Sequence, residues 1–430
     1  MPLPPAPSGP RIVVIGAGLV GLSCAWHLRQ RGHAVLLIDG RRSAAAAGAS
    51  GVSLAVSTQH GATQAEPSPP LQVGAGIGAD RGSPSIDGAA MSLEPDPTLP
   101  CGSEAALGVL MARVFHRSSG RGWRLRQRSL ELWQHWRSTL AERGQPIPWR
   151  PGLLLLASGP QDLERQQILL QDRRRPPGCL QVWDRHRLEP LLPRLPQTAW
   201  GGLYSGDDGQ LEPQAALQAL EADGRACGVE ICRDRVEAIE TCGAGWRLHL
   251  GRGGGERGDW LVLAAGLGST ALLPPDLRPG EPLALEPVLG QAVELELATR
   301  DAPRPHGPSE QRWPGAVVLR GMNLIQRRSD DGRPRLWLGA TLEPGLQADP
   351  AALHSLRQLE GLAPDWLERA EMIRHWQGWR ARPVGRPAPL LEQLAPRLLL
   401  ASGHYRNGVL LAPATAEWVA QQIEAAPAEP

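Results

Sequence analysis

Gly16, Gly18 and Gly21 stand in the spacing Gly-x-Gly-x-x-Gly, and Asp39 follows them. Such a set can hold a dinucleotide. Gly16 allows a tight turn, Gly18 lets the backbone approach a pyrophosphate, and Gly21 lets the next helix pack close to the strand. Asp39 is placed to accept hydrogen bonds from ribose hydroxyls. A second set, near the C-terminus, carries cations. Arg380 lies in GWRARPVGRP and Arg406 in GHYRNGVLLAP. Each can present a planar fork to a carboxylate, which arginine binds bidentately and lysine does not. In an arginine-rich chain a single Arg is more often a solvated surface residue. GHYRNGVLLAP also runs from a strand through a glycine-bounded loop into a helix, a ready anion site.

The elements that must position these residues follow from pattern. Residues 12–15 form a short buried strand, a helix runs to about Gln30, Gly32 stops it, and Ala34–Ile38 forms a second strand ending at Asp39. This order argues against an ordinary glycine turn and leaves FAD and NAD(P) both open. Residues 43–100 are rich in Ala, Gly, Ser and Pro with little apolar periodicity, and read as a flexible insertion. Helices are expected over about 124–143, 161–171, 213–222, 351–361, 364–369 and 414–424. Strands are expected over 152–157, 229–232, 235–240, 246–250 and 260–265, and a mainly antiparallel sheet over 288–296, 316–320, 324–327 and 336–340. Residues 397–401 form a last strand. Asp207-Asp208, in DDGQLEP, reads as a turn and helix cap and not as a metal pair. The Trp pairs 133/136 and 376/379 read as core.

The expected fold class is α/β (α+β, two-domain): a Rossmann-type nucleotide-binding domain and a discontinuous antiparallel-sheet domain. The first takes residues 11–42, 101–150, 206–275 and 376–425, and the second takes 151–205 and 276–375. Residues 1–10 are a tail and 43–100 the insertion.

A chain of 430 residues has room for two or three domains. Net charge is +1, so no global field points to nucleic acid or an anionic membrane. Lys is absent, Asn occurs only at 323 and 407, Phe only at 115, and Tyr only at 204 and 405. All four have A/T-rich codons, which indicates a GC-rich coding bias and lowers the weight of Arg-rich runs. The segment Arg113 to Arg137, with Trp interleaved, can suggest nucleic acid, but balanced charge and helical periodicity favour a solvated face. The six Cys residues (24, 101, 179, 227, 232, 242) form no Cys-x-x-Cys pair and have no His at zinc-ligand spacing, so reduced thiols and no metal are expected. Residues 1–10 lack the basic start of a signal peptide, and the apolar runs have strand length, so no membrane segment and a cytoplasmic location are expected.

GHYRNGVLLAP, the GWR…GRP segment and GAGLVG resemble the FAD-dependent amine oxidases of the D-amino acid oxidase group, the glycine oxidases nearest. The resemblance covers most of the chain outside 43–100. Residues 103–110 resemble the family's Ser-Ala-Ala-Ala-Gly-Met-Leu loop, which lies against the flavin, and the helix bearing Ser129 and Leu132 follows at the family's spacing. The resemblance implies FAD as cofactor. Gly16, Gly18, Leu19, Val20, Gly21, Asp39 and Gly40 would meet its adenine half, with the Val236 backbone. Ser103, Leu107, Gly108 and Val109 would line the flavin, with Gly266 nearby. Gly403, His404, Tyr405, Arg406, Asn407, Gly408, Val409 and Leu410 would close over it. Arg380 would bind a substrate carboxylate, with Arg406 beside it. The family's active-site Tyr aligns with Leu324, which would remove a hydrogen-bond donor and open an apolar pocket.

The implied activity is oxidative deamination of glycine, sarcosine or a small D-amino acid. The carboxylate would rest on Arg380, hydride would pass from Cα to flavin N5, water would hydrolyse the imine, and O2 would be reduced to H2O2. A D-amino acid dehydrogenase using a quinone or carrier is the alternative, and a non-catalytic flavoprotein or RNA-binding scaffold the second. The expected partners are the amino acid and its electron acceptor, without nucleic acid, and self-association is left open.

Overall fold

Four consecutive buried apolar residues in β1 (Arg11–Ile15) make a strand covered on both faces. The computed structural model describes residues 9–41, 102–172, 180–274, 277, 283–302 and 308–426; the insertion 43–100, Cys101 and Cys179 lie outside them. β1 leads into α1 (Leu19–Gln30) and β2 (Ala34–Ile38), and β1 and β2 pair in parallel register from Arg11↔Ala34 to Ile15↔Ile38. Next come β3 (Val109–Leu110), α2 (Arg121–Glu142), β4 (Trp149–Leu156), α3 (Pro160–Asp172), β5 (Leu180–Asp184) and α4 (Arg185–Leu188). Then follow β6 (Gly201–Leu211), α5 (Pro213–Ala226), β7 (Glu230–Cys232), β8 (Val236–Cys242), β9 (Gly245–Leu250), β10 (Gly255–Gly258) and β11 (Trp260–Leu263). The rest is β12 (Leu285–Glu296), β13 (Ala316–Leu319), β14 (Met322–Arg328), β15 (Pro334–Gly339), β16 (Glu343–Pro344), α6 (Pro350–Arg357), α7 (Asp365–Arg369), β17 (Glu371–Pro383), β18 (Leu390–Ala395), β19 (Leu398–Ser402) and α8 (Gly408–Ala425).

Six strands form one sheet in the order β18-β19-β11-β1-β2-β7, parallel except for the edge strand β18. Strand alternation divides it. Ile12 and Val14 pack on the helices, against residues of α1, α2, α5 and α8, while Val13 and Ile15 pack with Val236, Ile239 and Leu248 of the small β8–β10 sheet. The second large sheet has the order β16-β12-β15-β14-β13-β4-β6-β3, with β17 on β12 and β5 on β6. Its pairings are antiparallel except β13 with β4. One face carries Leu154, Val293, Val317, Leu324 and Leu338 beneath Leu356, Trp366 and Leu367. The other carries Leu107, Leu153, Ala292, Ala316, Ile325 and Trp337.

Several local readings change. Residues 376–383, expected with the nucleotide-binding strands, belong to β17 and pair along β12 in the large sheet, and Val109–Leu110 pairs with β6 there too. Each lies where apolar residues of the larger sheet need a partner. The final helix begins at Gly408, not near 414, with Pro413 inside it. Asp208 is not in a turn but in β6, fully buried. Its carboxylate accepts N–H bonds from Ala112 and Arg113 at 2.9 Å and from Val114 at 3.0 Å, while Asp207 faces Arg113 at 3.3 Å. Burial pushes the Asp208 carboxyl up, and those N–H groups oppose the shift. Removing this acceptor strands three buried donors. Asp208→Ala is expected to lower stability by about 3–5 kcal/mol, read as a drop in the denaturant midpoint.

The basic segment is largely partnered internally. Arg128 pairs with Glu417, and Arg126 and Arg137 lie over Phe115 and Trp149. No helix among the described residues is long and apolar enough to cross a membrane.

Candidate active site

The glycine turn is built from close approaches. Gly16 has φ +104°, and a Cβ there would stand 2.7 Å from the Ala264 carbonyl oxygen, so neither backbone nor space admits a side chain. A Cβ on Gly21 would run into the Gly16 carbonyl oxygen, and one on Gly18 would stand 3.2 Å from Ser103 Oγ. The Ser103 hydroxyl accepts the Leu19 N–H at 3.0 Å, so a residue from far downstream caps the first turn of α1. Leu19 is buried and Val20 half-buried.

Asp39 closes the end of β2. Its carboxylate accepts the Ala17 N–H, the Arg41 N–H at 2.8 Å and the Arg41 guanidinium at 2.9 Å. Burial pushes this carboxyl up, but the Arg41 hydrogen bond and charge and the two backbone N–H groups outweigh it and hold Asp39 below the usual range. Gly40 packs on Arg235, where a Cβ would be 3.2 Å from Cα, and this brings the 235–236 backbone beside Asp39. The Val236 side chain is in the core, which leaves its main chain as the available edge. A tight turn at a helix N-terminus, an ionised carboxylate and a backbone edge fit the adenine half of FAD.

The loop after Ser103 crosses to the large sheet. Trp376 Nε1 donates to the Ala105 carbonyl at 3.1 Å, and Gln210 Nε2 donates to that of Leu107 at 3.0 Å. Leu107 Cδ1 lies 3.0 Å from where a Cβ on Gly339 would stand, Gly108 abuts the Leu211 carbonyl, and Val109 enters β3. The loop is thereby pinned on the sheet face of Ala292, Ile325 and Trp337.

Arg380 lies on that same face. Its guanidinium spreads over Gly290 of β12, where any Cβ would collide with it. Nη1 donates to the carbonyls of Leu289 at 3.2 Å and Thr341 at 3.1 Å. Thr341 is itself tied down: its hydroxyl donates to Glu343 and accepts the Gln291 N–H at 2.7 Å. Arg406 sits in the 3-10 turn Tyr405–Asn407 and donates to the Gly321 carbonyl at 3.3 Å. Burial, then the charge of Arg406, push Arg380 down to about 10, against the opposing pull of Tyr405 and Glu343. Among the described residues no carboxylate forms an ion pair with either guanidinium. The arrangement attracts a ligand carboxylate only while Arg380 holds its proton. Affinity for a carboxylate that lacks an amine should therefore be flat through neutral pH and fall above about pH 10, read by titration into the flavin-loaded protein.

The C-terminal loop is anchored from beneath. The buried His404 ring meets Thr415 Oγ1 at 2.8 Å, and burial, then Arg121, push its pKa down to about 3, so it stays neutral. Asn407 N–H donates to the His404 carbonyl at 3.0 Å. Gly403 packs on Pro383 and Leu390, and Gly408, Val409 and Leu410 form the first turn of α8, the last two with buried side chains. Gly266 accepts the Ser402 hydroxyl at 3.0 Å and has open space where a Cβ would point.

Leu324 is the one expected site residue placed elsewhere. It is 1% exposed on the opposite face of the large sheet, among Val317, Leu338 and Trp366. Strand alternation makes Asn323 and Ile325, not Leu324, face Leu107 and Arg380. The letter match to Ile-Val-Pro-Arg could not reveal which side of β14 faces inward. Gly290, Thr341, Trp376 and Asn323 also belong to this site, and the rarity of Asn in the chain was the available signal for the last.

Comparison with known proteins bears on the family and the fold. Residues 11–422 match the family model described as DAO, FAD dependent oxidoreductase. The chain is 31% identical over 250 residues to a bifunctional protein ThiO/ThiG of Synechocystis sp., matching 56% of this chain and 34% of that protein. It is 29% identical over 243 residues to a glycine oxidase of Geobacillus kaustophilus, matching 54% and 59%. The match thus spans about a third to three-fifths of these relatives' lengths. The crystal structure of glycine oxidase from Geobacillus kaustophilus superposes with a TM-score of 0.71 at 20% identity, over 98% of this chain and 96% of that one. With a family match that runs from β1 into α8, the chain belongs to the FAD dependent oxidoreductase (DAO) family.

Proposed function

We propose that the protein is an FAD-dependent oxidase of small amino acids, such as glycine, sarcosine or a D-amino acid. The observation that carries this reading is Arg380. It is a half-buried guanidinium on the sheet face that bears the 103–109 loop, held by two backbone carbonyls and lacking a carboxylate partner among the described residues. A ligand carboxylate supplies the missing charge, and Arg406 adds a second cation beside it. The similarity to a glycine oxidase supports an amino acid as ligand.

FAD, when bound, supplies the hydride acceptor for the substrate Cα–H. The chain's own part is binding and orientation. Gly16, Gly18, Gly21, Ser103 and Asp39 would hold the adenine half; the 103–109 loop and the 403–410 turn would border the flavin. Arg380 fixes the carboxylate, which sets the direction in which Cα presents its hydrogen. The neutral, buried His404 holds the loop through Thr415 and moves no proton. We propose further that the chain divides into a nucleotide-binding domain and a substrate domain along the expected boundaries, with residues 376–383 assigned to the latter, and that it works in the cytoplasm.

The test is a substrate panel on the purified yellow protein. Anaerobic bleaching by small amino acids together with peroxide release in air supports the oxidase. Bleaching without peroxide makes it a dehydrogenase, and no bleaching by any amino acid rejects the reading.

A further inference from the structure

Glu343 is a buried carboxyl group, and among the described residues no Arg or His forms an ion pair with it. Its oxygens accept the Thr341 hydroxyl, the Gln291 side-chain amide at 3.0 and 3.2 Å, and the Asp349 N–H at 2.6 Å. Three donor groups converging on one carboxyl suit its ionised, acceptor-only form. Gln291 is buried as well. Its Nε2 also donates to the Asp349 carbonyl at 2.9 Å, which assigns the amide and leaves Oε1 to accept from His375 Nε2 at 2.9 Å. A buried charge is costly even when neutral donors surround it, so its neighbourhood has to repay it.

The same residues clamp the two carbonyls that aim Arg380. Leu289 and Thr341, whose carbonyls take the Arg380 Nη1, lie on β12 and on the segment that joins β15 to β16. Glu343 ties these segments together. It stands opposite Leu289 across the strands, bonds the Gln291 side chain of β12, and holds the Thr341 hydroxyl that accepts the Gln291 N–H. The Thr341 N–H returns a bond to the Gln291 carbonyl at 3.1 Å. The charged and titratable groups around Arg380 are Arg406 and Tyr405 from the 405–407 turn, Glu343 from β16, and the Arg382–Glu286 ion pair of β17 and β12. Arg406 disfavours the proton on Arg380, while Tyr405 and Glu343 favour it. Tyr405 carries negative charge only as a phenolate and Glu286 is paired, which leaves Glu343 as the standing anion.

We propose that Glu343 is a positioning residue for the carboxylate site: through Thr341 and Gln291 it fixes the two carbonyls that aim the Arg380 guanidinium, and its charge offsets the two cations, Arg380 and Arg406, that face the ligand. This rests on the reading of Arg380 as a carboxylate site and deepens it. The anion is held out of ion-pair contact by its own hydrogen bonds, so the fork of Arg380 stays free for the ligand.

The test titrates isobutyrate, a carboxylate without an amine, into the FAD-loaded protein by calorimetry from neutral pH upward. Glu343→Gln keeps the side chain's size and removes its charge. It should weaken isobutyrate about tenfold at neutral pH, as for a lost charge-assisted interaction. Without the anion Arg380 gives up its proton more readily, so the fall in affinity should begin about one pH unit below the wild-type value of about 10. Thr341→Val removes the hydroxyl and leaves the charge. It should weaken isobutyrate about threefold with the fall at its wild-type pH, and Thr341→Ser should recover that loss. Glu417→Gln, which breaks the remote pair with Arg128, is the control and should change neither reading. A residue that only holds the chain together lowers stability and leaves the pH of the fall alone. Glu343→Gln with wild-type affinity, or with its fall at the wild-type pH, therefore overturns the role of Glu343 while the carboxylate site stands. Should Glu343→Gln yield no flavin-loaded protein, unweakened binding in Thr341→Val overturns it. Wild-type protein that binds no isobutyrate overturns the carboxylate site itself.

Discussion

Arg380→Ala raises KM for any amino-acid substrate by about 100-fold or more, and the dissociation constant of simple carboxylates with it. Removing one partner of a desolvated charge pair typically costs about 2–5 kcal/mol, much of it for the charge left without its counterpart. Arg380 fits that case: it is tucked over Gly290, aimed by the Leu289 and Thr341 carbonyls, and pushed down to about 10 by burial and by Arg406. Arg380→Lys should recover only part of the loss, since a single ammonium cannot grip both carboxylate oxygens in one plane. Steady-state kinetics on the best substrate of the panel measures both variants. If KM stays within threefold of wild type in Arg380→Ala, the carboxylate is bound elsewhere.

Gly21→Val yields protein with less than about a tenth of the parent's FAD. A Cβ at position 21 collides with the Gly16 carbonyl oxygen, which is backbone and cannot swing aside as a side chain would. The helix must then move off β1, and overpacking of this kind costs about 1–3 kcal/mol before any loss of cofactor contacts. The turn that Gly16 forms, and the N–H groups of α1 aimed into it, move together. Gly122→Ala is the control. It lies in α2, with the nearest atom to its Cβ an Arg126 nitrogen at 3.7 Å, so flavin content should be unchanged and helix stability slightly raised. The FAD released on denaturation, measured per mole of protein, decides. Full flavin occupancy in Gly21→Val would refute the turn's role.

The β1–α1–β2 unit was legible because its signals are local. An apolar run, three glycines at set spacing and an acid at the strand end each act within one supersecondary unit, and the parallel register from Arg11↔Ala34 to Ile15↔Ile38 follows from them. Asp208 was not legible. Asp-Asp-Gly has turn chemistry when read alone, and the three N–H groups that make it a buried strand residue come from 112–114, almost a hundred positions earlier. The start of α8 was missed for a related reason: Pro413 breaks a helical pattern on paper, but Val409, Leu410 and Leu411 are buried in the core, and their packing holds the first turn regardless.

What the chain's letters determined alone is the dinucleotide turn and the family resemblance, with the two arginines marked as candidates. Those depend on residue type and on spacing within single elements. Which side chains of the large sheet share a face with Arg380 was decided only by the tertiary structure. A strand presents alternate residues to opposite faces, so a shift of one position exchanges the core for the site. The pairing of Asn323 with Gly339, and of Gly339 with Ala292, puts Asn323 on the sheet face that carries Trp376 and Arg380, and Leu324 in the core.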